Sequence, residues 1–160
     1  MKKLSFLAVL VCLSAGCVSH SQIMMNPQGE IIRCASWGSG MVGIGMADHN
    51  QSICIRDHKL LGYVEIEKVG AIGVGLSKDG FPFIIQVMKN SPAEKAGLVI
   101  GDKIIAINGQ KVERVDIARP LLFDRPGTAL EIQIVREGIE HRFKMIRIPY
   151  TEIFGAPSNK

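Results

Sequence analysis

The chain opens on Met1-Lys2-Lys3 and then runs apolar from Leu4 to Leu13, broken only by Ser5. A helical membrane span needs roughly 20 apolar residues, so a run of about half that length is too short to cross. Polar residues Ser19 to Gln22 follow and read as a short tether. Asn26-Pro27-Gln28-Gly29 marks a turn, and Glu30 to Cys34 has strand character. Trp37 to Met46 is glycine-rich, with Gly38, Gly40, Gly43 and Gly45. The spacing predicts a helix from Ala47 to Leu61, stopped by Gly62. Tyr63 to Glu67 alternates and reads as a strand or a linker.

The second half has a different texture. Phe83 to Val87 is a buried-strand run, and Lys103 to Ile107 is another, closed by the Asn108-Gly109 turn. Between them Ser91 to Gly97 predicts a short helix. Ser91 serves as N-cap, Pro92 fits the first turn, Glu94 completes a capping box and Gly97 ends it. Arg114 to Phe123 is ambiguous, because Pro120 lacks a backbone donor and breaks a long helix; placed at the first helical position it gives a late, brief one. Thr128 to Arg136 and His141 to Ile148 predict strands joined by a Glu137-Gly138 hairpin. Residues 151–160 read as a flexible tail.

Charge and cysteines refine this outline. The order of positive start, apolar run and small residues Ser14-Ala15-Gly16 is that of a secretory signal. Without Lys2 and Lys3, Lys plus Arg falls from 19 to 17 against 15 acids. No basic run occurs, so nucleic-acid binding is not indicated. Leu13-Ser14-Ala15-Gly16-Cys17 resembles the lipobox of bacterial lipoproteins, with Ser14 where an aliphatic residue is commoner. That resemblance implies a lipidated Cys17 as first mature residue, a palmitate-bearing membrane anchor and, with Val18 next, sorting to the outer membrane; the alternative is ordinary secretion. Cys12 lies in the signal, which leaves Cys34 and Cys54. Two remaining cysteines in an oxidising compartment pair as a disulfide, with a metal site or a reactive thiol as the alternative.

Candidate chemistry is sparse. Gly38-Ser39-Gly40-Met41-Val42-Gly43 spells the dinucleotide fingerprint, with Asp57 further on. A second parallel crossover is missing and Cys34 and Cys54 bracket the segment, so it reads as a compact turn and helix start. No serine lies in G-x-S-x-G. Asp48-His49 and Asp57-His58 are adjacent pairs that point apart on a helix. His49 and His58 do not have zinc-ligand spacing, and His20 and His141 stand alone. An enzyme is therefore not expected, and neither metal nor cofactor is implied.

The specific signal lies between Gly70 and Ile148. Gly73-Val74-Gly75-Leu76, then Ser91-Pro92-Ala93-Glu94-Lys95-Ala96-Gly97-Leu98, then Gly101-Asp102-Lys103-Ile104-Ile105-Ala106-Ile107-Asn108-Gly109 occur in order, followed by Arg136-Glu137-Gly138. Together these resemble the PDZ domains of bacterial HtrA-type and carboxyl-terminal-processing proteases, without a protease domain. The resemblance implies an α+β fold: a small, partly open PDZ-like β-barrel capped by two short helices, preceded by a disulfide-stapled segment. The organisation expected is a signal over 1–17, the stapled segment over 18–68, the PDZ-like domain over 69–150 and the tail. Gly73, Val74, Gly75 and Leu76 match the family's carboxylate-binding loop, whose successive backbone N–H groups make an anion-binding concavity. Ser77 and Lys78 would extend the edge to which a peptide adds a strand. Ile117 and Leu121 would form the opposite wall. The function implied is capture of C-termini or extended segments of envelope proteins at a membrane surface. The alternatives are an accessory subunit of an envelope protease, or a structural lipoprotein whose groove is filled by its own N-terminal segment.

Overall fold

The computed structural model describes residues 18–155. The expected signal over 1–17, with Cys17, and residues 156–160 lie outside the described residues.

Two strands open the fold, β1 (Val18–Met25) and β2 (Ile31–Gly38), paired in antiparallel register from Val18 opposite Gly38 to Met25 opposite Ile31. The expected polar tether is therefore a strand. Its polar residues are carried by cross-strand pairing, and its end, Met24 and Met25, is buried. Asn26 makes the turn: its side-chain oxygen accepts from the Glu30 N–H at 2.8 Å and its amide donates to the Glu30 carboxylate at 2.6 Å. Helix α1 (Gly40–Leu60) then folds back along the hairpin. It starts seven residues earlier than the pattern predicts, taking in Gly43 and Gly45. Glycines weaken a helix by about 1 kcal/mol each relative to alanine. Here the close approach of the Gly38 and Gly43 backbones leaves no room for a side chain on Gly38, while Gly45 meets no such constraint. Cys34 and Cys54 form the expected disulfide, with Cα atoms 5.7 Å apart.

The chain continues through β3 (Val64–Glu65), which pairs with the end of β1, and a 3-10 turn over Ile66–Lys68. Next come β4 (Gly70–Ala71), β5 (Val74–Leu76), β6 (Ile84–Val87), α2 (Pro92–Ala96), β7 (Lys103–Ile107) and β8 (Gln110–Lys111). Helix α3 (Val115–Leu122), the β9 (Ala129–Arg136) and β10 (Ile139–Ile146) hairpin, β11 (Ile148–Pro149) and α4 (Tyr150–Phe154) complete it. The four sheets run β2-β1-β3, β10-β9-β7-β8, β11-β4 and β5-β6. The fold is α+β, but the sheets stay open and do not close into a barrel. Strands β4, β8 and β11 have two residues each, too few to bridge one sheet to the next. Ile72, Ile84, Ile104, Ile107, Leu130, Ile132 and Ile134 form the core between these sheets, with Ala118 and Leu122 from α3.

Two expectations change here. Helix α3 runs through Pro120 rather than starting at it. Its C-terminal end is held by Arg147, whose guanidinium donates to the Leu121 and Leu122 carbonyls at 2.8 and 3.0 Å. The expected tail is helical over Tyr150–Phe154, where Tyr150 stacks on Phe154 at 4.4 Å.

Candidate functional site

Strand β5 forms one wall of a groove. On one side it pairs with β6, with a register shift between Gly75 and Leu76; among the described residues no strand pairs with its other edge. The loop that leads into it is tightly fixed. Gly73 has φ +83, and a Cβ there would lie 2.8 Å from Ser91 Oγ and 3.2 Å from Ile153 Cγ2. Only glycine adopts that backbone freely and leaves that space. The Gly73 carbonyl accepts from the Met88 N–H at 2.8 Å, and the Ile72 carbonyl from the Ala93 N–H at 2.9 Å. The start of α2 thereby clamps the loop. Ser91 caps α2 as expected, accepting from the Glu94 N–H at 3.2 Å, and Gly97 closes it at φ +90.

Helix α3 forms the facing wall. A cavity of about 270 Å³ is lined by Val74, Gly75 and Leu76 from β5 and by Arg119, Leu122 and Phe123 at the end of α3. Its rim is Met25, Gln28 and Gly29 at the β1–β2 turn, with Tyr150 and Phe154 from α4. Burial pushes the Tyr150 phenol above its ordinary pKa. Of the residues singled out from the sequence, Val74, Gly75 and Leu76 thus meet in one cavity, with Gly73 buried beside it. Ser77 is half-buried at the end of β5, donating its N–H to the Phe83 carbonyl at 3.0 Å and its hydroxyl to the Phe81 carbonyl at 2.7 Å. Lys78 is exposed, as is Ile117, while Leu121 packs against the core. Neither Ile117 nor Leu121 lines the cavity.

Arg119, Leu122, Phe123 and the rim residues were not singled out from the sequence. Their helix period was obscured by Pro120, and the rim comes from segments distant in sequence. A larger cavity, about 550 Å³, lies behind the same end of α3; Met25 and Phe123 line both. In its wall Glu65 bridges Lys59 at 2.7 Å and Lys68 at 3.1 Å. The Lys59 hydrogen bond leads in holding the Glu65 carboxyl down to about 2.

Among the described residues one trio has metal-ligand chemistry, Cys34, Cys54 and His58. Both sulfurs are spent on the disulfide, and His58 Nδ1 lies 2.8 Å from the Cys54 carbonyl oxygen. The segment from Gly38 to Gly43 forms the passage from β2 into α1.

Residues 83–136 match the family model described as PDZ domain. A probable periplasmic serine endoprotease, DegP-like, of Chlamydia trachomatis serovar D is 45% identical over 146 residues, covering 80% of this chain and 28% of that protein. The carboxy-terminal processing protease CtpB of Bacillus subtilis is 36% identical over 96 residues, covering 56% of this chain and 20% of that one. The solved structure of the photosystem II D1 C-terminal processing protease superposes with a TM-score of 0.47 at 22% identity, over 52% of this chain and 24% of that one. The chain spans less than a third of the length of these relatives.

Proposed function

We propose that this chain, which carries a PDZ domain similar to those of HtrA-type and carboxyl-terminal-processing proteases, is a non-catalytic binding module of the cell envelope. Its groove takes the C-termini or extended segments of partner proteins by strand addition. The observation that carries this reading is the outer edge of Val74–Leu76, which has no partner strand among the described residues and faces α3 across a cavity. A peptide laid along that edge would gain main-chain hydrogen bonds, and its terminal carboxylate would meet the backbone of the Gly73 loop. The disulfide suits an oxidising compartment, and relatives described as periplasmic support the same location. On this reading Cys17 carries the lipid that holds the domain at the outer membrane. Metabolic fatty-acid labelling is expected to mark the wild type and not Cys17→Ala; equal labelling refutes the anchor.

The test of the groove is direct. A library of peptides with free C-termini is compared with the same peptides amidated. Free termini are expected to bind at least about tenfold more tightly, about 1.4 kcal/mol. Equal binding, or no binding by either set, refutes the reading. A second reading, a groove filled by its own chain, is favoured by the rim of Met25, Gln28, Gly29, Tyr150 and Phe154. It predicts that Phe154→Ala gains peptide binding that the wild type lacks.

A further inference from the structure

Three large apolar side chains stand in solvent where the N-terminal hairpin hands over to α1. Trp37 is 80% exposed, Val42 78% and Met46 63%. The close approach of the Gly38 and Gly43 backbones holds the residues just before them, Trp37 and Val42, on one tip. Met46 follows Val42 by four positions, on the same face of α1 and one turn of about 5.4 Å further along. From Cys34 to Ala47 the chain has no charged residue. Single exposed apolar residues are ordinary on a protein surface, but three on one uncharged tip mark a contact site.

What covers this tip follows from where the described chain begins. It starts at Val18, which pairs with Gly38 at the same end of the hairpin. Residues 1–17 before it contain the apolar run Leu4 to Leu13 and then Cys17. Whether that run is kept or gives way to an acyl chain on Cys17, an apolar anchor would join the fold at Val18. A bilayer holding that anchor would lie against Trp37 and Val42. No charge in the stretch would need to be desolvated there. The opposite end of α1 also exposes leucines, Leu60 and Leu61, but beside Lys59 and about 30 Å away along the helix.

We propose that Trp37, Val42 and Met46 form a membrane-contact site on the folded body of the protein, which enters the headgroup and upper acyl layer of a phospholipid bilayer. This goes beyond a lipid on Cys17, because the folded chain makes the contact itself and keeps it without an acyl group. Apolar faces at such an interface sink about 5–10 Å, enough to take in Val42 and Met46 one turn behind it. The Trp37 ring buries a large apolar area while its N–H keeps a polar partner at the boundary. With no basic residue in the stretch to pair with acidic lipids, the contact is expected to be insensitive to salt.

Trp37 is the only tryptophan of the chain, so its emission reports the site directly. The experiment mixes the disulfide-bonded mature chain carrying Cys17→Ala, and therefore no acyl group, with phosphatidylcholine vesicles. The emission is expected to move to the blue and to be quenched by lipids brominated high on the acyl chain. Val42→Asp is expected to weaken vesicle binding at least about tenfold. Leu60→Asp, at the far end of α1, is expected to leave it unchanged. Thermal melts establish that each variant is folded. An unshifted emission overturns the proposal, as does a Val42→Asp chain that binds like its parent, an equal loss in Leu60→Asp, or binding abolished by high salt. A blue shift that grows with protein concentration without vesicles assigns the tip to a second copy of the chain and overturns it too. Fatty-acid labelling is a separate readout: if Cys17 takes up no lipid while vesicle binding persists, only the anchor falls and this site stands.

Discussion

Asp102 is fully buried, and Arg136 meets it with two hydrogen bonds of 2.7 Å, from Nε and Nη2. The second carboxylate oxygen also accepts from the Val99 N–H at 2.9 Å, and Arg136 reaches on to the Gly97 carbonyl. Burial pushes the Asp102 carboxyl up, but these bonds outweigh it and hold the group below its ordinary pKa. Two motif fragments, Gly101-Asp102 and Arg136-Glu137-Gly138, are thus one contact that locks the end of α2 to β9. Asp102→Asn leaves the Arg136 charge, 31% exposed, without its carboxylate. It is therefore expected to cost about 2 kcal/mol in urea unfolding. A loss under about 1 kcal/mol would show that the pair is dispensable. At this scale much was legible. Ser91 and Gly97 do what their types and spacing indicate, whereas Glu94 accepts from the Asn90 N–H at 2.6 Å and not from that of the cap residue, so the expected capping box is not closed. Arg119 was not legible. A long side chain's target depends on which backbone the fold brings opposite it, and no local pattern records that.

For its length, 21 residues, α1 is thinly supported by packing. Ala47 is its only fully buried hydrophobic residue among those described, and the Ser36 hydroxyl donates to the Ala47 carbonyl at 2.7 Å. The disulfide carries much of its attachment. Closing a loop of that kind is worth about 3 kcal/mol, here over a separation of 20 residues. Cys54→Ser is expected to speed amide exchange throughout α1 while leaving β7 and β9 protected. Unchanged protection of α1 would show that the helix docks without the staple. This weak amphipathicity also explains why its start was misplaced in the sequence. The strands and both two-residue turns of the second half were legible because local pattern and turn chemistry decide them, but Phe83 and Ile85, read as part of a buried run, are exposed because only one face of that strand meets the core. Strand β1 was not, because its pairing with β2 sets its conformation more than its own polar residues do. In α3, Pro120 removes one donor, yet the helix persists because Arg147, buried and held below its ordinary pKa by that burial, caps the last carbonyls.

Across the molecule, Glu65 joins the N-terminal layer to the rest. It ties Lys59 of α1 to Lys68 of the 3-10 turn, at the edge of the larger cavity. Its carboxyl lies near 2 instead of the ordinary 4.5, so the ionised form is favoured by folding. The stabilisation is then fully present above about pH 4.5 and is lost as pH falls from there toward 2. With both lysines substantially exposed, about 1 kcal/mol is expected. Glu65→Gln is expected to flatten the acid limb of the stability profile between pH 4.5 and 2. A limb as steep as that of the wild type would assign the acid sensitivity elsewhere. The overall class and the core strands could be read from the sequence. The packing of the N-terminal turn on α3 could not, because it joins segments some ninety positions apart, Gly29 to Arg119 and Phe123.

The first hairpin also sets a distance. Strand β1 begins at Val18, one residue after the proposed lipid site, and its eight residues end at the turn beneath the groove. At about 3.3 Å per residue an eight-residue strand reaches roughly 26 Å. With a lipid on Cys17, as proposed, little chain would separate bilayer and domain, and the hairpin would act as a standoff. Trp37, about four-fifths exposed, sits at the end of the hairpin where Val18 pairs with Gly38, and Val42, as exposed, follows at the start of α1. Tryptophan favours the headgroup layer, which would steady the hairpin upright. The groove would then patrol a layer about one strand length above the membrane. Polypeptide ends emerging from that membrane would enter this layer, and those released far into the surrounding space would not.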